Sequence, residues 1–230
     1  INPWLFKQLP YDPAKDFAAV TQMLRVPNVL VMNAEAAARL KINTLADLIA
    51  YGKANPGKLN YGSGGNGSAA NLATEYLKMR TGISLVHIPY RGTAPAVNDL
   101  VAGQTQVLFT GVPAVIAQVR SGQLKALAVS GKARVEALPD VPTVNEALGL
   151  KDYELIAYFA VFAPAGTPPD VVAKLNAAIN AAAATKDLQD KFLAIGFAID
   201  PGTPEALAKR NQAETAKWAK AIRDAKIEPQ

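Results

Sequence analysis

The sequence predicts an α/β fold in which a largely parallel sheet carries helices on both faces. Three observations predict it. Between residues 28 and 131, short β-branched and aromatic runs alternate with stretches whose apolar residues recur at helical spacing. Glycine or proline marks most of the changes from one to the other. Beyond Pro142 the pattern becomes one long β-prone run followed by helical stretches. That order predicts a lobe of residues 33–155 inserted between two pieces of another, 1–32 and 156–230. The chain would cross between them near "NVLVMN" and "AYFAVF", the two crossings acting as a hinge.

Taken in order, residues 1–27 are interrupted by Pro3, Pro10, Pro13 and Pro27, leaving room only for short elements. "NVLVMN" (28–33) reads as a buried strand. "TLADLIAYGKAN" (44–55) reads as a helix, with Thr44 and Asp47 placed as a capping box and Pro56-Gly57 as its stop. Strands follow at 58–63, 83–90, 105–111 and 124–131, and helices at 68–82, 94–104 and 113–123. "YELIAYFAVFAPAG" (153–166) is longer than a usual strand of about five or six residues, as befits a run crossing between lobes. Helices are predicted from "PPDVVAKLNAAINAAAATKD" (168–187), from "DLQDKFLAIG" and over 203–226, where Leu207, Trp218 and Ile222 mark the buried face.

Half of the 230 residues are apolar and 19% are charged, enough for a real core. No apolar run reaches the length of a membrane span. The net charge of +5 is scattered, without a basic tract or aromatic interleaving, which argues against nucleic acid and suits acidic small ligands. With no cysteine there is no disulfide or thiolate chemistry. The opening "INPWLFKQLPYDP" lacks an initiator methionine, as expected of a mature or truncated product, so the absence of a leader says nothing of compartment.

The motif that carries chemistry is "LNYGSGGNGSAANL" (59–72), which contains Gly62-x-Gly64-x-x-Gly67 between a strand and a helix. A dinucleotide site would need an acidic residue about 20 positions on, for the ribose. The next strand instead ends in His87, Tyr90 and Arg91. Arg91 leaves an NADP-dependent reductase as an alternative, and a P-loop is excluded because no Gly-Lys-Ser/Thr follows. The shared physics is broader: a helix N-terminus presents unpaired N–H groups and a partial positive charge. Gly62, Gly64, Gly65 and Gly67 let backbone approach a ligand, while Ser63 and Ser68 add hydroxyls, so the loop suits a small carboxylate. A bland turn with Ser68 as N-cap remains the other reading.

Two more strand ends carry small hydrogen-bonding residues, "PYRGTAP" (89–95) with Tyr90 and Arg91 and "FTGVPA" (109–114) with Thr110 and Gly111. A solvated charge at Arg91 and a helix cap at Thr110 are the structural alternatives. Catalytic signals are thin. His87, the one histidine, sits in a strand, where core or hinge service is commoner than catalysis, and no nucleophile elbow or metal-ligand spacing is present. The chain does not read as an enzyme, and no cofactor is expected.

The segments "PYDPAKDFAAVTQ", "INTLADLIAYGKANPGKLNYGSGGNGSAANLA", "VHIPYRGTAPAVNDLVAGQ", "ALPDVPTVNEAL" and "FAPAGTPPDVVAKLNAAIN" together resemble the tripartite tricarboxylate transporter substrate-binding proteins, the Bug family. The resemblance covers nearly the whole chain. It implies a type II periplasmic-binding-protein fold: two α/β lobes, hinged crossovers and a cleft closing on a small carboxylate held by backbone amides and small side chains. The ligand would be a di- or tricarboxylate, an aromatic acid or an acidic amino acid, and the partners membrane transporter subunits. The serine–glycine loop corresponds to Tyr61–Ser68 and the Pro-Tyr-Lys-Gly turn to Pro89–Gly92, with Arg91 in the lysine position. Departures are Phe109-Thr110-Gly111 for the usual Phe-Asp-Asn, Asn71 for a histidine, and Phe159-Ala160, after Tyr158, for an aromatic–glycine pair.

The resemblance also implies a longer protein, with roughly seventy residues ahead of "INPWL" that carry another glycine-rich loop and an acidic residue. Without that loop weak binding is expected. The reading is therefore an extracytoplasmic, periplasmic solute-binding protein. The alternatives are the reductase and a ligand-sensing effector domain, which would need a DNA-binding segment ahead of residue 1.

Overall fold

The structure, a computed structural model, describes residues 2–224. It is an α/β chain that divides into two compact units, one running from Val26 to Ala157 and the other made of the segments on either side. The expected bounds of the inserted lobe were 33 and 155; the division by compactness falls after Arg25 and after Ala157.

The chain opens with a single helical turn, α1 (Asn2–Leu5). β1 (Phe17–Asn33) follows and is 17 residues long, where the prolines predicted only short elements. Pro27 is tolerated because the residues beside it pair with different strands. Leu24 and Arg25 pair with Ile199 and Ala198, and pairing with Gly111 and the residues before it begins at Asn28, so neither of these ladders includes the proline.

In the Val26–Ala157 unit, α2 (Ala34–Leu40) is capped by Asn33, whose side chain accepts from the Ala36 N–H. α3 (Leu45–Ala54) carries the predicted capping box: Thr44 Oγ1 accepts from the Asp47 N–H, and the Asp47 carboxylate accepts from Thr44 N–H. There follow β2 (Asn60–Ser63), α4 (Ala69–Thr81), β3 (Val86–Pro89), α5 (Thr93–Val101) and β4 (Val107–Gly111). A 3-10 turn at Val112–Ala114, α6 (Ile116–Arg120), β5 (Leu124–Val129) and α7 (Val144–Leu148) complete the unit.

The strand order is β3-β2-β4-β1-β5. β2 runs parallel to β3 and β4, whereas β1 is antiparallel to β4 and β5, so the sheet is mixed rather than uniformly parallel. Along β1, Val29 and Val31 join a buried cluster with Ala96, Leu100, Leu108 and Val115, and Leu30 and Met32 are equally buried. Both faces of the central strand are therefore covered, as sequence alternation without a polar face requires.

The other unit takes the outer part of β1 together with β6 (Ile156–Pro164) from Tyr158 onward, α8 (Pro169–Ala183), α9 (Lys186–Ala194), β7 (Ala198–Ile199) and α10 (Pro204–Asp224). β6 and β7 both pair with β1. β6 is shorter than the run predicted at 153–166, and β1, not β6, is the long strand. Leu207 and Ile222 are buried on α10, with Trp218 half-buried between them. The last two residues of the helix expected at 203–226 lie outside the described residues.

Candidate functional site

Three strands with a common direction, β2, β3 and β4, bring their carboxyl ends to one edge of the Val26–Ala157 unit. The connections leaving β2 and β3 meet there. A Cβ on Gly64 would lie 3.3 Å from the Gly92 carbonyl carbon and 3.4 Å from the Thr93 nitrogen. A side chain at 64 would therefore press the two loops apart by a few tenths of an ångström. Gly65 (φ 114°), Gly67 (φ 71°) and Gly92 (φ 113°) all adopt backbone that other residues reach only with strain.

The loop is braced from within. The Gly65 N–H donates to Ser63 Oγ at 3.1 Å, and the Gly67 N–H donates to Asn71 Oδ1 at 2.9 Å. Asn71 Nδ2 donates to the Tyr61 hydroxyl at 2.9 Å, which itself donates to Glu75 at 2.6 Å, and Lys78 pairs with the same carboxylate at 2.8 Å. Burial and the Glu75 carboxylate push the Tyr61 phenol up, so it stays a donor. Ser68 caps α4 by accepting from the Asn71 N–H at 3.3 Å.

After this bracing, the N–H groups of Gly64, Asn66, Ala69 and Ala70 have no partner among the described residues. The head of α5 is open too. Its N-cap is Gly92, which makes no side-chain cap bond, and the Thr93 and Ala94 N–H groups are unpaired among the described residues. The loop that leads into α4 and the head of α5 therefore adjoin at Gly64 and Gly92, each with free donors. A helix N-terminus carries about half a positive charge, and Arg91, exposed and without a partner among the described residues, stands next to Gly92 at the head of α5. Such an edge attracts an anion.

Residues 1–227 match the family described as "Tripartite tricarboxylate transporter family receptor". The chain belongs to that family. Within it, Protein BugT of Bordetella pertussis is 37% identical over 220 residues, covering 96% of this chain and 66% of the relative. Two solved structures are similar to this receptor-family chain. The R. palustris protein Rpa4515 with adipate has 34% identity and a TM-score of 0.91, covering 100% of this chain and 75% of that one. MatC from Rhodopseudomonas palustris with bound malate has 29% identity and a TM-score of 0.83, covering 95% and 74%. The chain spans 65% and 63% of the first curated relatives it matches, just under two-thirds of their length.

Against this receptor-family frame, the residues singled out from sequence fall into distinct places. Gly64, Gly65, Gly67 and Ser68 form the loop surface, and Ser68 is the N-cap. Tyr61 and Ser63 are fully buried beneath it and serve as its support, not its face. The Tyr90 ring lies against Gly62, and its hydroxyl donates to Asp99 at 2.7 Å; burial, then Asp99, pushes that phenol up to about 12. Thr110 and Gly111 end β4, where a Cβ on Gly111 would meet Val26 Cγ1 at 3.0 Å.

Tyr158 and Phe159 belong to the other unit. There the Tyr158 hydroxyl donates to Asn211 Oδ1 at 3.2 Å, with the Arg210 guanidinium 4.9 Å from its ring centroid, and Phe159 is exposed. Sequence reasoning missed Asn71, Glu75 and His87 as parts of the loop's support. The signal for Asn71 was its position three residues after the capping serine. No group of His, Asp or Glu among the described residues is arranged to hold a metal ion.

Proposed function

We propose that this chain captures a small organic carboxylate where the glycine loop ahead of α4 meets the head of α5, as part of an extracytoplasmic receptor that hands its cargo to a membrane transporter. The observation that carries the reading is the contact of that loop with the head of α5 at Gly64 and Gly92, with unpaired backbone donors on both sides of it. Backbone donors recognise the acid group itself, and the surrounding side chains select among acids. Arg91 adds an exposed positive charge for a second acid group, and Thr110 and Gly111 close the end of the adjacent strand β4. The bound adipate and malate of the two similar structures favour dicarboxylates over aromatic acids or acidic amino acids as the first class to test. The periplasm is the proposed compartment, in keeping with a family of transporter receptors. No helix among the described residues is long and apolar enough to cross a membrane.

A thermal-shift screen with millimolar mono-, di- and tricarboxylates, and with NADP as the contrasting ligand, tests the proposal. A rise in Tm with a dicarboxylate that is lost in Gly65→Ala supports it. A rise with NADP alone, or no response to any acid at concentrations high enough to register weak binding, would remove it.

A further inference from the structure

The hydroxyl of Ser63 lies at the centre of the loop's support and meets three groups. It accepts from the Gly65 N–H at 3.1 Å, donates to the Gly65 carbonyl at 3.1 Å, and stands 2.6 Å from His87 Nε2. A hydroxyl has one proton to give and two lone pairs to receive. With the proton on the Gly65 carbonyl, the remaining lone pair is satisfied only by an Nε2–H donor. All three contacts are satisfied together in one tautomer, with the imidazole proton on Nε2.

The imidazole is itself held. Its ring stacks on Tyr61, with centroids 4.7 Å apart and planes 14° from parallel, and Tyr61 is anchored by Asn71 and Glu75. Asn71 in turn carries the Gly67 N–H. Gly65 and Gly67, the two loop residues at positive φ, are thus each tied to one support, and the two supports meet where Tyr61 and His87 stack.

We propose that His87 is the positioning residue of the glycine loop, holding Ser63 through an Nε2–H donor so that the unpaired N–H groups of Gly64 and Asn66 stay directed outward. As a statement about ligand capture this rests on the carboxylate reading above. As a statement about the loop it stands on the contacts alone. The groups facing the imidazole are Tyr61 from β2 and Glu75 and Lys78 from α4. Burial depresses the imidazole pKa, Glu75 opposes that and Lys78 adds to it, so the ring is neutral at pH 7. Protonation then occurs at Nδ1 and turns the Nε2–H bond to Ser63 into a charge-assisted one.

Because His87 is the only histidine, its imidazole nitrogens are read without ambiguity by NMR on the whole chain. The expected spectrum shows the Nε2–H tautomer, with the Ser63 and Gly65 amides titrating at the midpoint of the imidazole. His87→Ala should speed amide exchange at Gly65 by roughly five- to tenfold, the worth of about one hydrogen bond. His87→Gln, which offers a side-chain N–H at similar reach, should restore it, while β5 amides hold their rates in both variants. An Nδ1–H tautomer, loop amides that ignore the imidazole, or wild-type exchange in His87→Ala would each overturn the proposal. Should the alanine variant not fold, the tautomer and co-titration of the wild-type chain decide it. Adipate is the capture probe: weakened binding in His87→Ala with recovery in His87→Gln is the expected result. Absence of adipate binding in wild type, with the loop still titrating, removes the carboxylate reading and keeps the positioning role.

Discussion

In the Val26–Ala157 unit, Tyr61, Leu77, Leu100 and Phe109 have no exposed surface, and the central strands β1 and β4 are covered on both sides, while the edge strand β3 is partly exposed. The other unit is assembled differently. α8 and α9 bury no residue, and Phe17, Phe159, Phe162, Val171 and Leu175 are exposed large apolar side chains. What ties α8 to β1 is polar. Asn176 Nδ2 donates to the carbonyls of Val20 and Gly202 at 2.8 Å each, Asn180 Nδ2 donates to Gly202 at 3.1 Å, and the Thr21 hydroxyl contacts Asn180 and Gly202. Apolar burial dominates the first unit, while in the second, where Val20, Leu207 and Ile222 are buried, α8 is tied to β1 by side chains bonded to backbone. Burial is worth about 25 cal/mol per Å2 of apolar surface, whereas a single hydrogen bond nets about 1 kcal/mol. Among the described residues, the unit that carries the glycine loop therefore has the larger apolar core.

The contrast is broken first by matched truncations. Phe109→Ala should cost about 3–5 kcal/mol of stability in urea unfolding, as full burial of an aromatic ring implies. Leu175→Ala, at 40% exposure on α8, should cost less than about 1 kcal/mol. Equal losses at the two sites would contradict the comparison. Next in size, Asn176→Ala removes the side-chain donor to the Val20 carbonyl and one of the donors to the Gly202 carbonyl, and should cost about 1–3 kcal/mol. Hydrogen exchange should show that loss in the β1 segment around Val20 and not in β4.

A smaller effect is expected at Thr143→Ala. It removes the acceptor for the Glu146 N–H from the α7 capping box and should cost about 1 kcal/mol, read as a lower urea midpoint. The smallest is a matter of pH. Burial and Asp99 raise the Tyr90 phenol from 10.0 to about 12, so the folded chain keeps that proton longer than the unfolded one. Its contribution is whole below pH 10 and fades as pH rises toward about 12. Stability curves of wild type and Tyr90→Phe should converge over that range, and curves that run parallel through it would exclude the linkage.

These differences also mark how much was legible beforehand. The α3 capping box and the ends of α4 at Ser68 and Gly82 were readable because Thr44, Ser68 and Gly82 act on their own neighbours. α2 was passed over although Asn33 caps it, and α7 was hidden in a proline-rich stretch although Thr143 and Glu146 form a full capping box. The length of β1 was unreadable because the cost of Pro27 depends on which strand lies beside it, a tertiary fact. At the site, the glycine pattern located the loop. That Tyr61 and Ser63 face inward was not visible, since a strand covered on both faces shows no alternation between polar and apolar sides. The bond between Ser63 and His87 joins residues 24 positions apart and depends on the parallel register of Tyr61 with His87.

The most direct test of the account is an amide-resolved NMR titration of the chain with adipate. If the heads of α4 and α5 grip the acid, the amide resonances of Gly64, Asn66, Ala69 and Thr93 move together and saturably, while those of β5 stay put. Movement confined to other segments, with these four amides unchanged at saturating adipate, would contradict it.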